Sequence, residues 1–217
     1  MSLDRGRLVG WSVLVSALAL LSYASRAAGG EPPAHAAYKY STAAGGVVQY
    51  AIILAIVLAI ARPEWRTLLA LRRPNSYPRA MTTALLAFVV VYAVSGVVST
   101  YSHPDREQGL VPDNWDPHRI TPYVVNFAVF VVVAPIVEEL TFRGLGYSVL
   151  EPLGRAQAIL WVGIAFGLAH GLLGALPILI AFGSMLALIR ARTGSVYPGM
   201  AVHATFNAIA LIVSVTT

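Results

Sequence analysis

Two adjacent carboxylates, Glu138 and Glu139, lie at the end of an apolar run, and Arg143 follows four residues later. Two later apolar stretches each carry one histidine, His170 and His203. Charge inside a bilayer span is costly and by default marks a functional site. A carboxylate and an imidazole can activate water together, because the carboxylate takes the proton while the imidazole orients the water. These residue types therefore predict hydrolytic chemistry within a membrane.

His203 is followed one helical turn later by Asn207. An imidazole N–H and an amide N–H are donors suited to the oxyanion that forms on an attacked carbonyl. With Glu138 as the base and His170 as its partner, the four residues predict hydrolysis of an amide by activated water, without a covalent intermediate. We expect all four to be catalytic.

Helix geometry separates the two glutamates. Successive helical residues point about 100° apart, so Glu138 and Glu139 cannot both face one pocket. Glu139 and Arg143 share a face at positions i and i+4, with the acid first, which is the favourable order. We therefore expect Glu139 to pair with Arg143 as structural support and Glu138 to remain free for chemistry.

The composition indicates an integral membrane protein. Hydrophobic residues make up 57% of the chain and charged residues only 12%, whereas about a quarter of a soluble domain is charged. Cysteine is absent, which excludes disulfides, thiolate metal sites and a cysteine nucleophile. The net charge of +5 comes from arginines scattered between apolar runs, so we expect the lipid bilayer and no nucleic acid as a partner.

Apolar runs of about 20 residues, the length that crosses a hydrocarbon core about 30 Å thick, recur along the chain. One run is too long for a single span, and the sequence 171–177 predicts a turn inside it. The runs therefore predict an all-α polytopic bundle of about seven transmembrane helices, at 8–24, 40–61, 80–102, 120–137, 156–189 (two helices) and 193–217. We divide this single membrane domain into three N-terminal spans with their loops, residues 1–120, and a catalytic core of four spans, residues 121–217.

Arginine placement predicts the orientation, because cytoplasmic loops collect positive charge. The segments on the side of the N-terminus carry ten arginines: Arg5, Arg7, Arg62, Arg66, Arg72, Arg73, Arg79, Arg155, Arg190 and Arg192. The opposite side has four basic residues, Arg26, Lys39, Arg106 and Arg119, and is diluted by four acidic ones, Asp105, Glu107, Asp113 and Asp116. We therefore expect the N-terminus in the cytoplasm and the C-terminus outside.

The same topology brings the polar groups to one depth. Glu138 lies about 15 residues before the turn signals at 152–154 and His170 about 16 residues after them, or roughly 22 to 24 Å along each helix. His203 and Asn207 lie roughly 15 to 20 Å from the same side. The four groups, on three helices, can thus meet in the middle of the membrane.

Small residues and a proline favour this convergence. Gly163, Gly167 and Gly171 form a stripe at helical spacing that lets another helix approach closely. Pro135 lies one turn before the paired glutamates and removes one hydrogen bond of the helix. This frees the carbonyl of Val131, which we expect to kink the helix and make room for water.

Three motifs carry a resemblance to a known family. Glu138-Glu139-Leu-Thr-Phe-Arg143, Phe166-Gly-Leu-Ala-His170 and His203-Ala-Thr-Phe-Asn207 resemble the motifs Glu-Glu-x-x-x-Arg, Phe-x-x-x-His and His-x-x-x-Asn of the CaaX protease and bacteriocin-processing (CPBP) family. Its members are glutamic intramembrane endopeptidases and include the type II CaaX prenyl proteases. The resemblance covers about residues 134–207. It implies the roles stated above for each motif residue, no metal or other cofactor, and a water-filled cavity entered from the cytoplasmic side.

The resemblance also implies a class of substrate. The expected activity is cleavage near the C-terminal or membrane-proximal segment of a membrane-associated protein that is lipidated or has a C-terminal membrane anchor. Eukaryotic members imply prenylated peptides, whereas bacterial ones include bacteriocin-maturation, self-immunity and myxosortase-type sorting enzymes. The single lysine beside fourteen arginines is typical of a GC-rich bacterial genome, so we expect the bacterial inner membrane.

Two alternatives change the chemistry. Glu138, His170 and His203 together form a legitimate zinc ligand set, although no His-Glu-x-x-His helix is present. Thr141 and Thr205 lie close to the motifs in sequence, but neither is obviously paired with a base. The other function class is a noncatalytic scaffold or small transporter with buried charges.

Two alternatives concern placement. Arg5 and Arg7 before the first apolar run also resemble a cleavable signal peptide, but the run exceeds the usual length of about 7 to 15 residues. The paired glutamates could also end a helix in the cytoplasmic headgroup layer. The apolar pattern resumes after Arg143, which instead predicts one long helix from near Pro122 to Leu150.

Overall fold

The described residues, 3–29, 35–102, 115–213 and 215 of a computed structural model, form helices and no strand. The helices are α1 (Arg5–Gly29), α2 (Tyr40–Ala61), α3 (Trp65–Leu68), α4 (Tyr77–Ser99), α5 (Pro117–Leu153), α6 (Arg155–Ala169), α7 (Leu176–Thr193) and α8 (Tyr197–Val213). The predicted all-α class is therefore confirmed. Most of the predicted loop 103–119, with its basic and acidic residues up to Asp113, lies outside the described residues.

Five of these helices, α1, α2, α4, α5 and α7, are long and apolar enough to cross a membrane. The two others that were predicted to span, α6 and α8, are apolar but have only 15 and 17 residues. The chain is thus an integral membrane protein, while the count of seven spans and the orientation stay predictions. Outward-facing side chains on these helices are large and apolar, as a lipid-facing surface requires, among them Val13, Leu20, Ile52, Leu85, Val89 and Leu160.

The long central helix α5 contains two π-helical segments, Val129–Val133 and Leu140–Gly146. Between them lies an α-helical turn, Ala134–Glu139, that carries both glutamates. π segments shift the register of a helix and are frequent at functional sites. The predicted continuous helix from near Pro122 to Leu150 is confirmed.

Helices α6 and α7 form a closely packed hairpin whose crossing point has glycine on both sides. A Cβ atom on Gly183 would lie 3.0 Å from the Cα atom of Gly163. The predicted stripe thus packs as expected at Gly163 and at Gly167, where a Cβ would lie 2.8 Å from Ile180. Gly171 serves differently, because it follows the end of α6 with a φ of +67° and packs on Ser22 of α1.

We expect Gly163→Ala to lower the free energy of unfolding in detergent micelles by about 1 to 3 kcal/mol, the usual cost of overpacking. The added Cβ would lie 2.9 Å from the backbone nitrogen of Ser184 and 3.0 Å from the carbonyl oxygen of Ile180, and a backbone cannot easily move aside. Gly96→Ala is the matched control, because a Cβ on Gly96 has nothing within 4 Å. There the better helix propensity of alanine should leave stability unchanged or raised. Equal effects of the two substitutions would contradict the close crossing.

Candidate active site

Glu138 faces a cavity of about 750 Å³ that lies between α1, α2 and α4 to α8. The hydroxyl of Tyr50, on α2, donates a hydrogen bond to its Oε1 atom at 2.9 Å. Its Oε2 atom is buried and has no hydrogen-bond partner among the described residues. One carboxylate oxygen is thus held by the protein while the other is left to a ligand or a water molecule.

His170 caps the C-terminal end of α6 and lines the same cavity. Its Nδ1 atom lies 2.7 Å from the carbonyl oxygen of Phe166. A carbonyl can only accept, so Nδ1 carries the proton, and in the neutral ring Nε2 is an acceptor. That Nε2 atom lies 3.8 Å from Glu138 Oε2, a separation too long for a direct hydrogen bond and suited to a bridging water.

His203, on α8, lies between the two glutamates. Its Nε2 atom is 3.7 Å from Glu138 Oε2, and its Nδ1 atom is 3.1 Å from Glu139 Oε1. The Glu139 carboxylate accepts hydrogen bonds, so it places a proton on Nδ1. The imidazole is nearly fully buried and is further held by edge contacts with the rings of Phe166 and Phe182.

Glu139 and Arg143 form an ion pair of 2.9 Å that is enclosed by protein on all sides, with 1% and 0% of their side chains exposed. Arg143 also donates to the carbonyl oxygen of Gly183 at 3.2 Å and lies over the ring of Phe166. A Cβ on Gly199 would lie only 2.6 Å from Glu139 Oε2, so a glycine there makes room for the carboxylate. The predicted pairing at i and i+4 is present.

Asn207 lines the cavity and donates through its Nδ2 atom to the carbonyl oxygen of Phe130 at 2.8 Å. In a π-helical register a carbonyl bonds the N–H five residues later, and residue 135 is a proline without an N–H. The free carbonyl is therefore that of Phe130, and the expectation of Val131 was wrong because it assumed an α-helical register. An amide nitrogen has two donors, so Asn207 keeps one for the cavity.

The cavity lies in one half of the bundle. Its walls come from the later halves of α1 and α4 and the ends of α6 and α8, including Arg26, Ser95, His170 and Val213. This half is opposite to the face with the ten arginines. In the predicted orientation it faces away from the cytoplasm, which conflicts with the cytoplasmic entry that the resemblance implies.

Two of the alternatives find no support in this geometry. The two glutamates do not end a solvated helix, because protein encloses them both. The Thr141 hydroxyl donates to the carbonyl oxygen of Val137, and the Thr205 hydroxyl donates to that of Ala201, so neither is activated by a base. Among the residues that the structure describes, no group of three or more His, Asp or Glu side chains is arranged to hold a metal ion.

The structure thus brings together Glu138, His170, His203 and Asn207 around one cavity and places Glu139 and Arg143 directly behind them. Sequence reasoning missed Tyr50. Its signal was available, since Gln49 and Tyr50 form a polar pair in the middle of an otherwise apolar run.

A comparison with known families finds a match in the second half of the chain. Residues 120–209 match the model of the Rce1-like type II CAAX prenyl endopeptidases. The matched range contains the three motifs and leaves out Tyr50. No curated protein and no solved structure matches the chain.

We expect Glu139→Gln to destabilise the protein by about 3 to 5 kcal/mol, because it leaves the Arg143 guanidinium buried without a counter-charge. The double variant Glu139→Gln, Arg143→Met removes both charges and should recover at least half of that loss. Thermal unfolding of the single and double variants in detergent micelles measures the coupling. Losses that simply add would show that the two charges do not depend on each other.

Proposed function

We propose that the chain is a glutamic intramembrane endopeptidase of the CPBP family of CaaX proteases, with Glu138 as its base, because residues 120–209 match the Rce1-like type II CAAX prenyl endopeptidases. One observation carries the proposal. The unpartnered Oε2 atom of Glu138 faces the Nε2 atoms of His170 and His203, at 3.8 and 3.7 Å, inside a cavity.

In the first step, a water molecule lies between Glu138 Oε2 and His170 Nε2 and donates one hydrogen bond to each. Glu138 accepts as a carboxylate and His170 accepts at Nε2 because its proton is on Nδ1, so the oxygen lone pairs of the water point away from them, toward the substrate. Glu138 then takes a proton as the water oxygen bonds to the carbonyl carbon. The carbonyl π bond breaks, and its electron pair forms an oxyanion.

Asn207 and His203 would stabilise that oxyanion. The second N–H of Asn207 is a neutral donor, held in place by the bond of its partner N–H to Phe130. His203 has its Nδ1 proton engaged by Glu139, so its Nε2 atom donates only as an imidazolium. Glu138 finally transfers its proton to the amide nitrogen, the C–N bond breaks, and an acid and an amine leave.

Glu139 and Arg143 act through His203 in this scheme and do not touch the substrate. The ion pair fixes the carboxylate that orients the imidazole, and Gly199 allows α8 to lie against it. Such support is needed because a small displacement of a reacting group is costly in rate.

The family suggests a membrane-associated prenylated protein as the substrate. We further propose cleavage near the C-terminal or membrane-proximal segment of a lipidated protein or one with a membrane anchor, in a bacterial inner membrane. The cavity volume is in the usual range for ligand pockets, and five phenylalanines in its wall suit an apolar segment: Phe130, Phe142, Phe166, Phe182 and Phe206.

We expect Glu138→Gln to lower cleavage by about 10²- to 10⁴-fold, the usual contribution of a general base, while the protein folds normally. The measurement compares the membrane proteomes of cells with wild type and with the variant and searches for a new C-terminus that depends on Glu138. Glu151→Gln, on the exposed last turn of α5, is the control and should behave as wild type. Cellular function that persists in Glu138→Gln would instead support a scaffold or transporter.

The same assay tests the zinc alternative. The purified enzyme should keep its activity in the presence of a chelator. Loss of activity with the chelator and recovery with Zn²⁺ would assign Glu138, His170 and His203 to a metal rather than to water alone.

We expect Tyr50→Phe to lower kcat about tenfold with little change in KM, because it removes a hydrogen bond to a charged group worth about 1.5 kcal/mol. The missing hydroxyl leaves Glu138 Oε1 without its partner, and the carboxylate is less well oriented. Tyr92→Phe is the matched control in the same cavity wall, where the ring stacks on Phe206. Equal kinetics for the two variants would remove Tyr50 from the site.

A further inference from the structure

We propose that the scissile bond reaches Glu138 from the non-cytoplasmic half of the membrane, and that the substrate is the membrane-proximal segment of a polypeptide exposed on that side. This inference rests on the proposed function. It follows from two observations on the chain itself, the position of the cavity along the helices and the placement of the arginines.

The first observation is where the cavity touches each helix. On α1, which runs from Arg5 to Gly29, the cavity meets Leu18, Ser22 and Arg26. On α4, which begins at Tyr77, it meets no residue before Val91. Both helices begin at the arginine-rich face, so their cavity residues lie in the half away from it.

On the hairpin of α6 and α7, the residues that line the cavity also lie in the half away from the arginine-rich face. Phe166, Ala169 and His170 line the cavity at the far end of α6, and Leu172 lines it from the turn. On α7 the lining residues are Ile178, Leu179 and Phe182, close to the start of that helix at Leu176. The cavity therefore runs from Glu138 toward the turn between these helices.

In the other half of the bundle, a buried segment covers the route from the arginine-rich face to Glu138. Leu68, Leu69 and Ala70, which link α3 to the rest of the arginine-rich face, are buried. The carbonyl oxygen of Leu68 accepts a hydrogen bond of 2.7 Å from Ser148, and a Cβ on Gly144 would lie 3.0 Å from the Cα atom of Leu69. This segment lies against the second π segment of α5 and covers the route from that face.

The second observation is the charge of the two faces. All ten arginines of the arginine-rich face are described, against Arg26, Lys39 and Arg119 on the face toward which the cavity extends. Positive charge is retained in the cytoplasm, so the arginine-rich face is cytoplasmic and the cavity half is not. A lipidated C-terminus that stays in the cytoplasm has no path to Glu138, whereas the anchor of an exported protein does.

Cysteine labelling tests the inference directly, because the chain has no cysteine of its own. Three single variants are needed: Thr67→Cys on the exposed surface of α3, Thr100→Cys directly after α4, and Ser95→Cys in the cavity wall. Each is treated with a membrane-impermeant maleimide on intact cells and after permeabilisation. We expect Thr100→Cys and Ser95→Cys to label in intact cells and Thr67→Cys to label only after permeabilisation.

The opposite pattern for Thr67→Cys and Thr100→Cys would show that the protein has the opposite orientation in the membrane, which would overturn the inference. If Thr100→Cys labels in intact cells but Ser95→Cys does not, the cavity is not accessible from outside and the inference is overturned. Cleavage that depends on Glu138 is measured separately. If the variants label from outside but no cleavage depends on Glu138, the access route is supported and the proposed peptidase function is contradicted. If cleavage depends on Glu138 but the labelling pattern is inverted, the peptidase function is supported and the access route is contradicted.

Discussion

The ion pair of Glu139 and Arg143 is the interaction on which the arrangement of the core depends. Two charges without access to solvent are tolerated only when they are paired and their remaining groups are bonded. The pair meets this condition in part, through Gly183 on α7, the Phe166 ring on α6 and the imidazole of His203 on α8, while Glu139 Oε2 and Arg143 Nε have no hydrogen-bond partner among the described residues. One pair of charges on α5 thus determines how three other helices approach it.

The reactive carboxylate benefits from this arrangement because it is the next residue along the helix. The angle of about 100° between neighbours turns Glu138 toward the cavity while Glu139 stays behind it. The π segments on either side set the register that lets Phe130 hold Asn207 and leave the carboxylate between two imidazoles. Support and chemistry are therefore adjacent in sequence and separate in space.

Sequence reasoning succeeded where the physics is local. The pairing of Glu139 with Arg143 needs only helical spacing, and the long α5 needs only the apolar pattern after Arg143. It failed where partners come from distant elements: Tyr50 reaches Glu138 across 88 positions, and the π register that exposes the Phe130 carbonyl leaves no mark in hydropathy. The roles of the site residues and the division at residue 120 remain predictions.

The hairpin of α6 and α7 explains why a cavity exists in this half. Helix α6 starts at the arginine-rich face and has 15 residues, about 22 Å of helix, which is short of a hydrocarbon core about 30 Å thick. From this length we expect its turn to lie within the membrane, where irregular backbone is tolerated only if it is buried in protein or lines a water-filled space. Ser22 donates to the carbonyl oxygen of Ala169 at the helix end, while His170 and Leu172 face the cavity. The short length of α6 is thus what places His170, at its end, opposite Glu138.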